Sequence, residues 1–337
     1  MKLAQDSRPL APDRRRVVAL CGGVGGAKLA LGLDALLETG RLTIAVNTGD
    51  DFEYLGLRIS PDLDTVVYTL GGLSDIERGW GRANESWNFM AALEAWGGET
   101  WFSLGDRDLA LHVERTRRLV AGETLTHIIG DFAKRAGIRA EVIPMSDENV
   151  RTKVHTHIGS LPFQQYFVKH RCEPVVTGVS FDGAEDASAN PALLRALADP
   201  QLTAVVICPS NPFLSIDPIL AVPGARAALR RTAAPVIAVS PLVGGQAVKG
   251  PTAKIMQELG LRVDNSSIAS HYAGLIDAMV IDSRDAADAA ALGIAVHVTP
   301  TLMHSADDKL RLASSVLDFA ASLARRSALD QPEQLAK

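Results

Sequence analysis

The sequence predicts an α/β protein: a Rossmann-like, mostly parallel sheet with helices on both faces and a mainly helical insertion. Three observations predict it. Apolar runs of strand length recur along the chain, helical patterns fall between them, and the first run meets a glycine-rich turn that opens directly into a helix. At 337 residues the chain is long enough for one large α/β domain or two ordinary ones, and a hydrophobic fraction of 47% is ample for its core.

Val17–Leu20 is the first strand, Cys21–Lys28 the turn and Leu29–Leu37 the helix. Thr43–Val46 is a second strand that runs straight into Asn47-Thr48-Gly49-Asp50-Asp51. Further buried strands are expected at Val175–Val179, Ala204–Cys208, Val236–Val239, Ala278–Ile281 and Ala295–Val298. Helical stretches at Pro191–Leu197, Ala221–Arg230, Thr252–Leu259 and Ala286–Leu292 alternate with them. Between Trp80 and Lys169 the rhythm changes. Helices are expected at Glu85–Trp96, Asp108–Ala121 and Leu125–Ala136, with extended chain over Val154–Lys169 and no parallel strand evident. The expected division is a nucleotide-binding core of residues 15–79 and 170–325, with residues 80–169 inserted over the active site.

A net charge of −5 argues against a general nucleic-acid binder, which needs a basic face to displace phosphate counterions. The three cysteines are scattered, with no CxxC pair, as expected of reduced thiols in the cytoplasm. Met1–Arg16 is polar and lacks the apolar stretch of a signal peptide, and no apolar segment is long enough to span a membrane.

Chemistry concentrates in the loops after the strands. Gly22, Gly23, Gly25, Gly26 and Lys28 match neither the Rossmann GxGxxG turn nor the P-loop, because Lys28 stands where the third glycine belongs and Leu29 follows it. Their shared physics remains: backbone N–H groups and a helix N-terminus suit an anion. A plain tight β-α turn is the bland alternative. Asp50 and Asp51 follow a strand, and Asp62 and Asp64 flank a helix start marked by Pro61, with Thr65 beside them. Aspartates in such places are often caps, yet two acidic groups near one sheet edge suit Mg²⁺, a hard cation that takes oxygen ligands. Arg107, between Asp106 and Asp108, is either a bidentate anion clamp or an exposed arginine beside a cap. Ser210 and Asn211 turn sharply after a buried strand. Ser240 begins a loop that carries Gly244, Gly245, Lys249 and Gly250. Three such loops at one edge point to an extended anionic ligand such as a nucleoside diphosphate.

In this order and combination, Cys21–Lys28, Asn47–Glu53, Pro61–Thr65, Leu104–Asp108, Ser210-Asn211-Pro212 and Ser240…Pro251 resemble the 2-phospho-L-lactate transferase family over roughly Val17 to Ala320. The resemblance implies a step in coenzyme F(420) biosynthesis. A guanosine diphosphate-linked donor carries 2-phospholactate, phosphoenolpyruvate or 3-phosphoglycerate. The ribityl hydroxyl of 8-hydroxy-5-deazaflavin attacks the phosphorus bearing the acid, and GMP leaves. It also implies Asp50, Asp51, Asp62 and Asp64 around Mg²⁺ and the hydroxyl, with Asp64 the first choice of base. The two glycine loops would hold the diphosphate, Ser210 and Asn211 the guanosine, and Arg107 the acceptor or the acid's carboxylate. Trp80, Trp87, Trp96 and Trp101 would wall the deazaflavin ring, with ordinary packing expected for at least two. A homodimer is expected for this architecture. The rivals are an NAD(P)-dependent oxidoreductase, with Asp50 on the ribose, and a non-catalytic nucleotide-binding protein.

Overall fold

The computed structural model describes residues 13–248 and 250–329. Alternation of apolar side chains to both faces builds β1 (Arg16–Cys21) and β2 (Leu42–Val46). They are joined by β3 (Glu141–Pro144), β4 (Leu202–Ile207), β5 (Val236–Val239), β6 (Ala278–Ile281) and β7 (Ala295–Val298). All pairings are parallel and the order is β7-β6-β5-β4-β1-β2-β3. Val18 and Leu20 of β1 enter one core, Val17, Ala19 and Cys21 the other, so helices cover both faces. The chain leaves β1 in one direction through β2 and β3, then returns to the far side through β4. A crevice therefore opens at the carboxyl ends of β1 and β4, the topological switch point.

Helix α1 (Gly23–Leu36) rises from that crevice and packs on the helix Ala306–Leu329. Helix α2 (Pro61–Leu70) begins with proline in its first turn, where the missing N–H costs nothing, and with Asp62 and Asp64 beside its positive end. Helices α3 (Asn88–Ala95), α4 (Asp106–Val120) and α5 (Leu125–Arg135) follow.

Two strand expectations change. The segment 80–169 is not wholly outside the sheet, because β3 lies within it and pairs with β2 along the edge. This run is short and ends in proline, so it carried little strand signal. The strand expected at Val175–Val179 is antiparallel: Val176–Asp182 pairs with Arg151–Thr156, which also pairs with Gly159–Pro162, in a separate small sheet. Its residues after Val176 are only partly buried or exposed, a half-covered surface that parallel core strands do not show.

Candidate active site

Loops from the carboxyl ends of β1, β2, β4, β5 and β7 join the wall of α2, α4 and residues 79–81 and 163–168 around one cavity of about 990 Å³. The glycine turn forms its floor. Gly23 has φ +64°, and a Cβ on Gly22 would sit 2.5 Å from that of Ser215 while one on Gly26 would sit 2.6 Å from Ser210 Oγ. Close approach explains these glycines better than flexibility does. Ser210 Oγ ties the two sides of the switch point together, accepting from Gly22 N–H at 3.2 Å and donating to Gly22 C=O at 2.8 Å. Asn211 spends its side-chain oxygen on the N–H groups of Phe213 and Leu214, leaving its buried Nδ2 without a partner among the described residues. Lys28 extends from α1 and donates to Met303 C=O at 2.9 Å.

The acids converge on this floor. Asp62 Oδ1 accepts from Gly23 N–H at 2.8 Å, so α2 is joined to the glycine turn. Asn47 Nδ2 donates to Asp62 Oδ2 at 2.9 Å and to Asp50 Oδ1 at 3.1 Å, so one amide serves both carboxylates. Burial, then the neighbouring Asp62, holds Asp50 well above the ordinary carboxylate range. Burial pushes Asp62 up to about 6, against the Asn47 and Gly23 hydrogen bonds. Asp50 is thus engaged inward with Asp62 rather than standing apart as a ribose-binding acid.

Asp64 belongs to a different set of partners. Its Oδ1 receives Arg115 Nη2 in a fully buried ion pair, while its buried Oδ2 has no hydrogen-bond partner. Burial raises its pKa and Arg115 opposes the rise. Arg115 also donates to Arg58 C=O at 3.2 Å, so one guanidinium joins α4, α2 and the strand Leu57–Ile59. His112 Nδ1 lies 3.7 Å from Asp64 Oδ2 and Nε2 lies 3.3 Å from Asp108 Oδ2, while Tyr68 donates to Asp108 at 2.5 Å.

Asp50, Asp62 and Asp64, together with Gly22, Gly23, Gly25, Lys28, Thr65, Ser210, Asn211, Ser240 and Gly250, line the cavity. Others do not. Gly26 packs beneath the turn, and buried Asp51 accepts from Ser60 Oγ at 2.7 Å, with burial pushing it up to about 7. The amides of Gly244 and Gly245 already grip Asp285, at 2.9 and 2.7 Å, so an internal carboxylate occupies the nest expected to hold a diphosphate. Lys249 lies outside the described residues. Arg107 is exposed on the first turn of α4. Asp108, His112 and Arg115, spaced four and three residues apart, form the inward face. That spacing was the signal by which His112 and Arg115 could have been found. Thr301–His304, lining the cavity after β7, offered no such pattern. Of the tryptophans, Trp80 lines the cavity and meets Trp87 edge to face, Trp101 packs in an aromatic cluster with Phe52, Tyr54 and Phe102, and Trp96 is 91% exposed.

The donor set fits a hard divalent cation. Asp50 and Asp62 offer only oxygens and share the single Asn47 amide. Among the described residues, the three side chains whose ligand atoms all lie within 4.8 Å of one another are Asp64, Asp108 and His112, so the predicted four-aspartate set is not gathered as one cluster.

Comparison with known proteins agrees with this geometry. Residues 17–305 match the family model described as 2-phospho-L-lactate transferase CofD. Proteins called phosphoenolpyruvate transferase from Streptomyces griseus and Mycolicibacterium smegmatis are 38% and 36% identical, each alignment covering 90% of this chain and 98% of the relative. A crystal structure of a UPF0052 family protein from Bacillus halodurans shares the fold at TM-score 0.59 and 16% identity, over 91% of this chain and 100% of that one. With its sheet order, its acidic floor and a family match that spans nearly the whole described core, the chain belongs to the 2-phospho-L-lactate transferase CofD family.

Proposed function

We propose that the protein is a magnesium-dependent transferase. It moves a phospho-acid from a guanosine diphosphate-linked donor to the ribityl hydroxyl of 8-hydroxy-5-deazaflavin and releases GMP, in coenzyme F(420) biosynthesis. One observation carries the reading: acids from the loop after β2 and from α2 meet the glycine turn through Asn47 and Gly23 N–H, at the floor of a single cavity. Family membership supports a transferase, and the relatives' name favours phosphoenolpyruvate as the acid.

In this reading the turn Gly22–Lys28 and the start of α1 receive the diphosphate, with Lys28 adding a cation. Ser210 and the spare Asn211 Nδ2 face the guanosine end. Asp50 and Asp62 would hold Mg²⁺, which supplies charge neutralisation when bound. Arg115 fixes Asp64 through Oδ1 and leaves Oδ2 to accept the proton of the attacking hydroxyl. A positioned base of this kind contributes roughly 10²–10⁴-fold. The hydroxyl oxygen bonds to the phosphorus bearing the acid, and the bond from that phosphorus to the GMP oxygen breaks.

Mass spectrometry tests this directly, with purified protein, the deazaflavin alcohol, Mg²⁺ and the three candidate donors side by side. The expected result is GMP and an acceptor heavier by one phosphoenolpyruvyl unit. No adduct from any donor, by a protein that binds both substrates, would defeat the enzyme reading.

A further inference from the structure

The wall opposite the acidic floor contains a polar group that the chemistry above does not use. Residues Phe163 to Lys169 form a tight helical segment whose last five residues, Gln165–Lys169, are wound as a π-helix, a rare geometry that recurs at functional sites. Phe163, Gln164, Phe167 and Val168 of this segment line the cavity, while Tyr166 points the other way into the core. Phe163 and Phe167 stack on each other, with centroids 5.4 Å apart and planes 19° apart. Gln164 stands beside them, only 5% exposed. Its side-chain amide has no hydrogen-bond partner among the described residues, and it does not cap the helix that follows.

An amide on a cavity wall that no side chain or backbone group engages is left for water or a bound ligand to satisfy. This one lies on a cavity wall between apolar rings, where a flat heterocycle could lie against them. A carboxamide presents one donor and one acceptor side by side, the complement of a ring lactam with adjacent N–H and C=O. We propose that Gln164 is a specificity-determining residue that pairs with the lactam edge of a flat heterocyclic substrate held beside Phe163 and Phe167. This rests on the substrates proposed above. Both the deazaflavin and guanine carry such an edge, and the experiment separates them.

The test measures equilibrium binding to the full-length protein in the presence of Mg²⁺, using fluorescence of 8-hydroxy-5-deazaflavin and calorimetry with GDP. Gln164→Leu keeps the volume and removes both hydrogen-bonding atoms; Gln164→Glu keeps the shape and removes only the donor. The proposal expects both variants to weaken one of the two ligands roughly tenfold or more and leave the other within about twofold. Weakened deazaflavin makes the acceptor the reader's partner; weakened GDP makes it guanine. Ring-N-methylated forms of that ligand should bind the wild type poorly, and Gln164→Leu should no longer discriminate against them. If the wild type binds both probes and neither variant changes either affinity, the inference fails and the proposed function stands. If the wild type binds neither probe, both fail. Thermal melting of each variant guards against misfolding, and a loss of both ligands together with a lowered melting point counts against the specificity role.

Discussion

The floor and the wall of the cavity are built in different ways. The floor comes from strand ends: Gly22 after β1, Asp50 after β2, Ser210 after β4, Ser240 after β5. Each is placed by a parallel strand buried on both faces, so its position is set by the sheet. The wall comes from helices and loops of residues 60–170, and its polar groups are placed by side-chain contacts such as Arg115 with Asp64 and Arg58. In the proposed function the floor would hold the diphosphate and the cation, and the wall would choose the acceptor. Behind the wall, Tyr54 and Trp101 belong to a small core of their own.

Perturbing each region should break different properties. The largest effect is expected at the junction of the two: Asp64→Asn should lower turnover roughly 10²–10⁴-fold while GDP still binds, measured by steady-state kinetics and calorimetry. Arg115→Met in the wall leaves Asp64 buried without its counter-charge, so denaturant unfolding should show a loss of about 3–5 kcal/mol. On the floor, Gly25→Ala puts a methyl group against the Pro209 carbonyl oxygen. It should cost about 1–3 kcal/mol of stability and weaken GDP more than the deazaflavin.

A smaller effect separates the regions by pH. Burial raises the folded-state pKa of Asp50, of Asp51 to about 7 and of Asp62 to about 6. At these three sites the folded chain holds more protons than the unfolded one, so these groups contribute stability that is lost as pH rises from about 4 through about 7. A divalent cation that replaces those protons acts in the opposite sense. Mg²⁺ should raise the melting temperature more at pH 8 than at pH 5, and calorimetry at the two pH values checks it. The smallest change is expected at Arg107→Ala, exposed and outside the cavity: stability within about 0.5 kcal/mol and unaltered substrate affinities.

The same contrast explains what could be read from the sequence. The floor was legible because β1 and β2 are short, mostly apolar runs that lead into Gly22 and into Asn47-Thr48-Gly49-Asp50-Asp51, and because Pro61 marks the start of α2. The Rossmann-like order follows from that alternation. The wall was not, because its geometry depends on contacts remote in sequence. Arg107 was conspicuous beside two aspartates, yet helical phase turns it outward and turns Arg115 inward. The amides of Gly244 and Gly245 have a glycine-loop signature, yet Asp285, forty residues on, occupies them. The edge strand β3 was hidden in a run of four residues between helical patterns. Gln164 carries no motif at all; only its place on the cavity wall beside the stacked Phe163 and Phe167 distinguishes it.

The central claim is that Asp50 and Asp62 hold a cation against the diphosphate seated on the glycine turn, beside Asp64 as the base. Phosphorus NMR of GDP bound to the protein, titrated with Mn²⁺ in place of Mg²⁺, tests it most directly. The account predicts strong paramagnetic broadening of both phosphorus signals in the wild type, and its loss in an Asp50→Asn, Asp62→Asn double variant that still binds GDP. Sharp phosphorus signals from bound GDP at saturating Mn²⁺ would contradict it.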